Sequence, residues 1–363
     1  ITNIISKIVR YCNNTANAAA IITFFTILVS LFNWGLGLIF GAIFARKIGE
    51  YASKKNIKIN YPLIGAAGYS GLMVWHGGIS GSAPIKIAEK GHFLADKIGV
   101  ISQSETVFSS MNIIISITLL ITLPLLMYYI GKKKTGDSIT IYSKKEDEKP
   151  EITGAEKLDH SRVLSYLFSV TIIFYALYKA IILPENISLS IITPNYINLV
   201  LLGFAILLHK SFFNFLKAVD NAIVGASGIL IQFPLYFGIM GIMSYSGMID
   251  IMSAFFVSIS NETTFPIFTF ISAGIVNVFV PSGGGQWAVQ GPIIIEAATQ
   301  IGVSIPKSVM ALAYGDQLTN MLQPFWALPL LGITGLKAKE ILPYTLILLI
   351  AGATIFIVGL LVF

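Results

Sequence analysis

Apolar runs long enough to cross a lipid bilayer recur along this chain, at residues 17–45, 111–130, 163–183, 194–216, 219–246, 308–333 and 341–363. About 20 apolar residues in a helix span a hydrocarbon core of about 30 Å. Inside that core every backbone N–H and C=O must find a partner within the protein, which restricts such a chain to bundled helices. Composition agrees: 55% of the 363 residues are hydrophobic and 12% charged, against roughly 25% charged in soluble domains. Mean hydropathy is +0.78. Polar groups are too few to coat a soluble globule, so soluble enzymes and DNA-binding proteins are excluded. The net charge of +6 does not point to nucleic acid, because the lysines and arginines sit in short loops rather than on one face. Cys12 is the single cysteine, so no internal disulfide framework exists. No cleavable signal peptide is legible. The chain opens at Ile1 without Met, and further residues are expected upstream.

A polar stretch, 131–161, divides the apolar segments and carries dense charge of both signs. It reads as a surface linker between two membrane halves. The halves, 1–130 and 162–363, resemble each other weakly. In the first, Tyr61-Pro62 opens an apolar run ending in WHGGISGSAPIKIAE (75–89); in the second, Phe265-Pro266 opens a run ending in VPSGGGQWAVQGPIIIEAA (280–298). Each unit has an apolar arm, a Gly-rich polar tip and a second apolar arm. This predicts helical hairpins at about 62–90 and 264–299 that enter the membrane and turn back. A polar helix is expected after each, at 102–112 and 313–324. Interrupted apolar segments at matching positions of two halves point to a transporter binding site.

Charge gives the orientation. Residues 46–60 carry Arg46, Lys47, Lys54, Lys55 and Lys58, whereas 248–262 carry Asp250 and Glu262 and no basic residue. The positive-inside rule places these two stretches on opposite sides, which makes the repeats inverted. An odd number of crossings must then separate the hairpins, so residues 91–110 are expected to cross as well as 111–130. The expected fold is an all-α polytopic membrane protein of two inverted repeats, each with a re-entrant hairpin and a discontinuous helix.

Two tips and two broken helices aimed at one point would present free amides and helix N-termini, which favour anions. Gly77, Gly78, Gly81, Gly283, Gly284 and Gly285 let backbone approach closely, and Ser80, Ser82, Ser282 and Gln286 add side-chain hydrogen bonds. Trp75 and Trp287, bulky groups beside the tips, are expected to wall a small apolar cavity. No Lys or Arg lies between Lys217 and Lys307, so an anion at the second tip is held by dipoles and amides. Membrane acids are functional candidates by default, which singles out Glu105 and Asp316; His76 is a further proton carrier by its chemistry.

The segments NWGLGLIFGAIFARKIG (33–49), YPLIGAAGYSGLMVWHGGISGSAP (61–84), QFPLYFGIMGIMSYSG (232–247), FVPSGGGQWAVQGP (279–292) and YGDQLTNMLQPFWALPLLGI (314–333) together resemble the bacterial short-chain fatty acid transporter family. The resemblance covers nearly the whole chain and implies uptake of small monocarboxylates such as butyrate or acetoacetate. It implies a multi-pass protein of the bacterial cytoplasmic (inner) membrane, coupled to protons or sodium. It further implies elevator-type alternating access, with a transport domain sliding against a homodimeric scaffold. Carried over by position, the tips fall on Gly78, Ile79, Ser80, Gly81 and Ser82, and on Ser282, Gly283, Gly284, Gly285 and Gln286. The broken-helix positions fall on Glu105, Thr106, Ser109, Ser110 and Asn112, and on Asp316, Gln317, Thr319 and Asn320. Related dicarboxylate carriers have Ser-Asn-Thr at both tips, where they help hold sodium. Here the tips read Ser-Gly-Ser and Ser-Gly-Gly-Gly.

Other functions fit the residues less well. Ala313-Tyr314-Gly315-Asp316 lacks the first glycine of the aspartyl intramembrane protease pattern. The Gly-x-Ser-x-Gly and His-Glu-x-x-His patterns are absent, and His76, His92, His160 and His209 show no metal spacing. No cofactor is implied beyond sodium or protons as coupling ion. A channel remains as an alternative, since Gly-rich re-entrant loops also line filters, as does a carrier of another small organic anion such as a dicarboxylate.

Overall fold

The computed structural model describes residues 2–134, 136, 154–184 and 191–363. Every regular element among them is helical. The chain divides into two units, residues 1–142 with 228–363, and residues 143–227.

The larger unit opens with α1 (Thr2–Ile8), followed by α2 (Thr15–Phe32) and α3 (Trp34–Lys55). The apolar run 17–45 is therefore broken at Asn33, without a proline or glycine at the break. Asn33 is extended, at φ −152° and ψ 126°. Its N–H closes α2 on the Val29 carbonyl, and its Oδ1 accepts from Leu36 N at 2.9 Å to cap α3. One residue thus ends one helix with its backbone N–H and starts the next with its side chain. Asn56 closes α3 in the left-handed region, at φ 53°, which asparagine tolerates better than most residues.

Next come α4 (Tyr61–Tyr69), 3-10 turns at Ser70–Met73 and Trp75–Gly77, and α5 (Ser82–Ala88). The expected hairpin at 62–90 is thus a short helix, two tight turns and a second short helix, not two arms of 15–20 residues. Contact explains the unwinding. A Cβ on Gly78 would lie 2.3 Å from the Leu31 carbonyl oxygen, so the chain presses against the end of α2 where only glycine fits. After α6 (Ala95–Ile98), residues 99–109 run in turns until α7 (Ser110–Lys133). The expected crossing helix at 91–110 and the polar helix at 102–112 are therefore not formed as helices. The Ser and Gln side chains of 102–109 compete for backbone groups: Ser109 Oγ accepts from Asn112 N at 3.3 Å and caps α7.

The smaller unit holds α8 (Glu156–Asp159), α9 (Arg162–Leu177), which continues as a π-turn over Tyr178–Ile182, and α10 (Pro194–His209). Ser165 Oγ donates to Ile206 O at 3.3 Å and Tyr196 OH to Ala176 O at 3.2 Å, which fastens α9 to α10. The run expected at 194–216 is broken: the chain turns through 112° between α10 and α11 (Phe212–Tyr245). Most of the expected linker, 131–161, lies outside the described residues.

The larger unit resumes at residue 228, within α11, and continues with α12 (Met248–Ser258), α13 (Phe265–Phe279), α14 (Gly283–Ile301) and α15 (Ile305–Thr319). A 3-10 turn at Asn320–Leu322 then leads to α16 (Pro324–Thr334) and α17 (Ala338–Val362). Over 264–299 two helices are separated by a break at 280–282, and the polar helix expected at 313–324 is the end of α15, the 3-10 turn and the first residue of α16. Proline fills the first turns of α13, α15 and α16, where its missing N–H costs nothing. Among the described residues, four helices are long and apolar enough to cross a membrane: α2, α7, Arg162–Ile182 and α17. The main core gathers apolar side chains of α2, α3, α4, α7 and α17, including Phe44, Ile64, Leu123 and Phe356. A second cluster, with Ile87, Phe265, Trp287 and Leu312, joins α5, α13, α14 and α15.

Candidate functional site

The two interruptions, 70–81 and 320–323, meet inside the larger unit. Asn320 Nδ2 donates to Leu72 O at 3.1 Å. Tyr69 OH lies 3.0 Å from Asn320 O and 3.2 Å from Gln323 O. Gln317 Oε1 accepts from the amides of His76 (2.8 Å) and Gly77 (3.1 Å). These bonds pair backbone groups that the missing helical turns leave open, each of which costs several kcal/mol if unpaired in an apolar medium. The helix breaks at residues 33 and 280–282 approach the same region. Trp34 N donates to Ser80 Oγ at 3.0 Å and Ile79 N to Leu31 O at 2.7 Å. Ser282 Oγ accepts from Gly285 N at 3.2 Å and caps α14.

A cavity of about 190 Å³ opens where these parts converge. Trp34, Trp75 and Trp326 wall it, with Leu72 and Pro281. The Trp34 ring sits edge-on to Trp326, with centroids 5.3 Å apart. Ser82, Ser282, Gly283, Gly284 and Asn320 form its polar side, and none of these lining residues is charged. The amides of Gly283 and Gly284 belong to the first turn of α14, where N–H groups have no intrahelical acceptor.

Directly behind this wall lies a buried histidine–aspartate hydrogen bond. His76 Nδ1 is 2.5 Å from Asp316 Oδ2, with the side chains 0% and 1% exposed. The imidazole stacks on Trp75 at 4.5 Å and 15°. A Cβ on Gly283 would lie 2.8 Å from His76 Cε1 and 2.9 Å from Trp75 Cη2, so the first residue of α14 rests against the pair.

Other residues singled out from the sequence fall around this centre in different roles. Gly81 packs against the His76 carbonyl. Gly285 serves the cap of α14. Gln286 turns away from the cavity, donating to Ala273 O at 2.8 Å and Gln290 Oε1 at 2.7 Å. Thr319 Oγ1 accepts from Asn277 Nδ2 at 2.9 Å. Asn112 anchors the start of α7: its Nδ2 donates to Gly77 O and Val107 O, and its Oδ1 accepts from Tyr314 OH. Thr106 is buried with its hydroxyl unpartnered, whereas Ser110 is exposed. Gly78 and Asn112 line a separate apolar groove with Val107 and Phe108. Glu105 is not part of the pair: it is exposed and accepts from Ser102 N at 3.1 Å. Trp287 is fully buried beside Phe93, not at the cavity.

Trp34, Trp326, Leu72 and Asn277 escaped the reading of motifs. Asn277 Nδ2 donates to Asp316 O at 2.7 Å, and Gln323 Nε2 donates to Asn277 O, so α13 grips the break after α15. Asn277 is an amide in an apolar run, and that was its only signal. Among the described residues, no group of three or more His, Cys, Asp or Glu stands together as a metal site.

The family model described as "Short chain fatty acid transporter" matches residues 1–363. A protein of Escherichia coli (strain K12) is 36% identical over 352 residues, covering 94% of this chain and 78% of that protein. One of Haemophilus influenzae (strain Rd) is 37% identical over 376 aligned residues, covering 99% of this chain and 82% of that protein. Both are named "Putative short-chain fatty acid transporter". No solved structure matches the chain.

Proposed function

This chain belongs to the short chain fatty acid transporter family, and we propose from that premise that it is a multi-pass secondary carrier of small monocarboxylates such as butyrate or acetoacetate in the bacterial cytoplasmic membrane. The observation that carries the reading is the cavity of about 190 Å³, with one wall of three tryptophans and one of small polar groups. The carboxylate meets the Gly283 and Gly284 amides, Ser82 and Asn320; the alkyl tail lies on Trp34, Trp75, Trp326 and Leu72. A helix N-terminus binds an anion without an ion pair, which suits a ligand that must be released again. The absence of Lys and Arg from the lining favours one carboxylate over two.

The same reading includes two repeats. The first runs α2–α3, then α4 to α5 through the tight turns, then α7; the second runs α13–α14, then α15 to α16, then α17. Matching element order supports it, as does the side-chain cap at the start of the second arm in both, Asn33 in one and Ser282 in the other. In this register the first re-entrant hairpin turns at Asn33, and 70–81 is the break of a discontinuous helix. The repeats are inverted, with 131–161 as a cytoplasmic linker. Both tips travel with the site as an elevator against a homodimeric scaffold, coupled to an ion gradient.

The test is uptake of labelled butyrate into proteoliposomes, with proton and sodium gradients imposed separately and protein-free vesicles subtracted. Saturable accumulation driven by one gradient is the expected result. No saturable uptake with either gradient overturns the substrate; uptake without saturation or accumulation makes the protein a channel.

A further inference from the structure

The hydrogen bonds around His76 fix which group there can change its charge. Ala83 N donates to His76 Nε2 at 3.0 Å, so that nitrogen presents its lone pair. The ring proton therefore sits on Nδ1 and points at Asp316 Oδ2, 2.5 Å away. The imidazole is neutral in this arrangement. A second proton on Nε2 would face the Ala83 N–H and break that bond. Asp316 is then the one group of the pair that can take up or release a proton without disturbing its neighbours.

Other titratable side chains on the packed elements stand apart from the pair. α2, α13 and the 3-10 turns bring none besides His76. Lys86 of α5 pairs with Glu89, and Glu296 of α14 with Lys97, both at the surface. On α17, Lys339 is exposed, Glu340 caps Lys337 N, and Tyr344 bonds Asn60. On α15, Lys307 sits in the first turn, and Tyr314 OH donates to Asn112 Oδ1. A deprotonated Asp316 is therefore a negative charge with no cation beside it among the described residues, separated from the cavity by the Trp75 ring and the Gly283 backbone.

We propose that Asp316, positioned by His76, is the proton site of this carrier, and that a monocarboxylate enters the cavity only together with one proton, so that transport is electroneutral. The inference rests on the carboxylate-carrier reading. Two like charges on either side of one ring, with no charged residue in the cavity lining, repel each other. One proton on Asp316 Oδ1 removes the conflict, and Oδ2 keeps its bond from Nδ1–H. By linkage, carboxylate and proton then strengthen each other's binding equally.

The test uses the purified full chain in detergent, titrated with butyrate by calorimetry in buffers of differing ionisation enthalpy, across a pH series. On the alkaline limb the wild type takes up one proton per butyrate bound and its Kd rises tenfold per pH unit; both effects vanish at the acid limit. In Asp316→Asn the amide mimics the protonated acid: proton uptake falls to zero and Kd becomes flat with pH, near the acid-limit value of the wild type. Glu105→Gln keeps the wild-type proton count. If Asp316→Asn does not fold, the proton count of the wild type decides alone. Butyrate binding without proton uptake, or binding that needs sodium instead, overturns the inference and leaves the carrier standing. No butyrate binding at any pH removes the substrate reading, and this inference with it.

Discussion

Replacing Gly284 separates stability from function. It is the second residue of α14, and a Cβ there would have Ser82 Cβ, at 3.8 Å, as its nearest neighbour. That is ordinary contact, so the new methyl enters the cavity without displacing any protein atom. Alanine in a helix is favoured over glycine by up to about 1 kcal/mol, so Gly284→Ala is expected to hold or raise the melting temperature. The same methyl occupies the space where the carboxylate meets the Gly284 amide. Losing one hydrogen bond to a charged group costs about 1.5–3 kcal/mol, which is roughly a 10- to 150-fold rise in Kd. Gly284→Leu fills more of the cavity and is expected to abolish binding. Thermal unfolding and butyrate calorimetry on the same preparation check both signs. If both variants are folded and their butyrate Kd stays within about twofold of wild type, the α14 tip is not the carboxylate site. Gly283→Ala is the contrast: its methyl would press on His76 and Trp75, so stability and binding both fall.

Trp326→Ala opens the tail end of the cavity. Each buried methylene is worth about 0.8 kcal/mol, so hexanoate gains up to roughly 15-fold over butyrate relative to wild type; competition uptake reads the ratio, and an unchanged ratio removes Trp326 from the wall. Asn33→Ala deletes the cap between α2 and α3 and costs about 1 kcal/mol, seen as a lower unfolding midpoint with α2 and α3 otherwise intact. An unchanged midpoint means the break at residue 33 is held by Trp34 N on Ser80 alone. Single cysteines in 46–60 and 248–262 are expected to label from opposite membrane faces, with buried Cys12 as a silent background. Labelling of both from one face rejects the inverted repeats.

The second half was the more legible one. Pro266 near the start of α13, Ser282 followed by three glycines, and Asn320 before Pro324 are local signals for a start, a cap and a stop, and the helices obey them. The first half misled because its turn at Asn33 lies in an unbroken apolar run. Hydropathy averages over such a run, whereas the turn is made by one side chain capping Leu36 N and by a bond from Trp34 N to Ser80, 46 positions away. The glycines at 77–81 looked like a hairpin tip, because glycine marks both a turn and a close approach; only packing against Leu31 told which.

By itself the sequence determined that this is a helical membrane protein with polar interruptions, because partition into a bilayer and helix capping depend on residues within about a turn or two of one another. Tertiary structure decided which interruptions meet. It set His76 against Asp316 across 240 positions and brought Trp34, Trp75 and Trp326 around one cavity. Such meetings are settled by how helices pack and which buried polar groups find partners, and neither is encoded in the local pattern of any one segment.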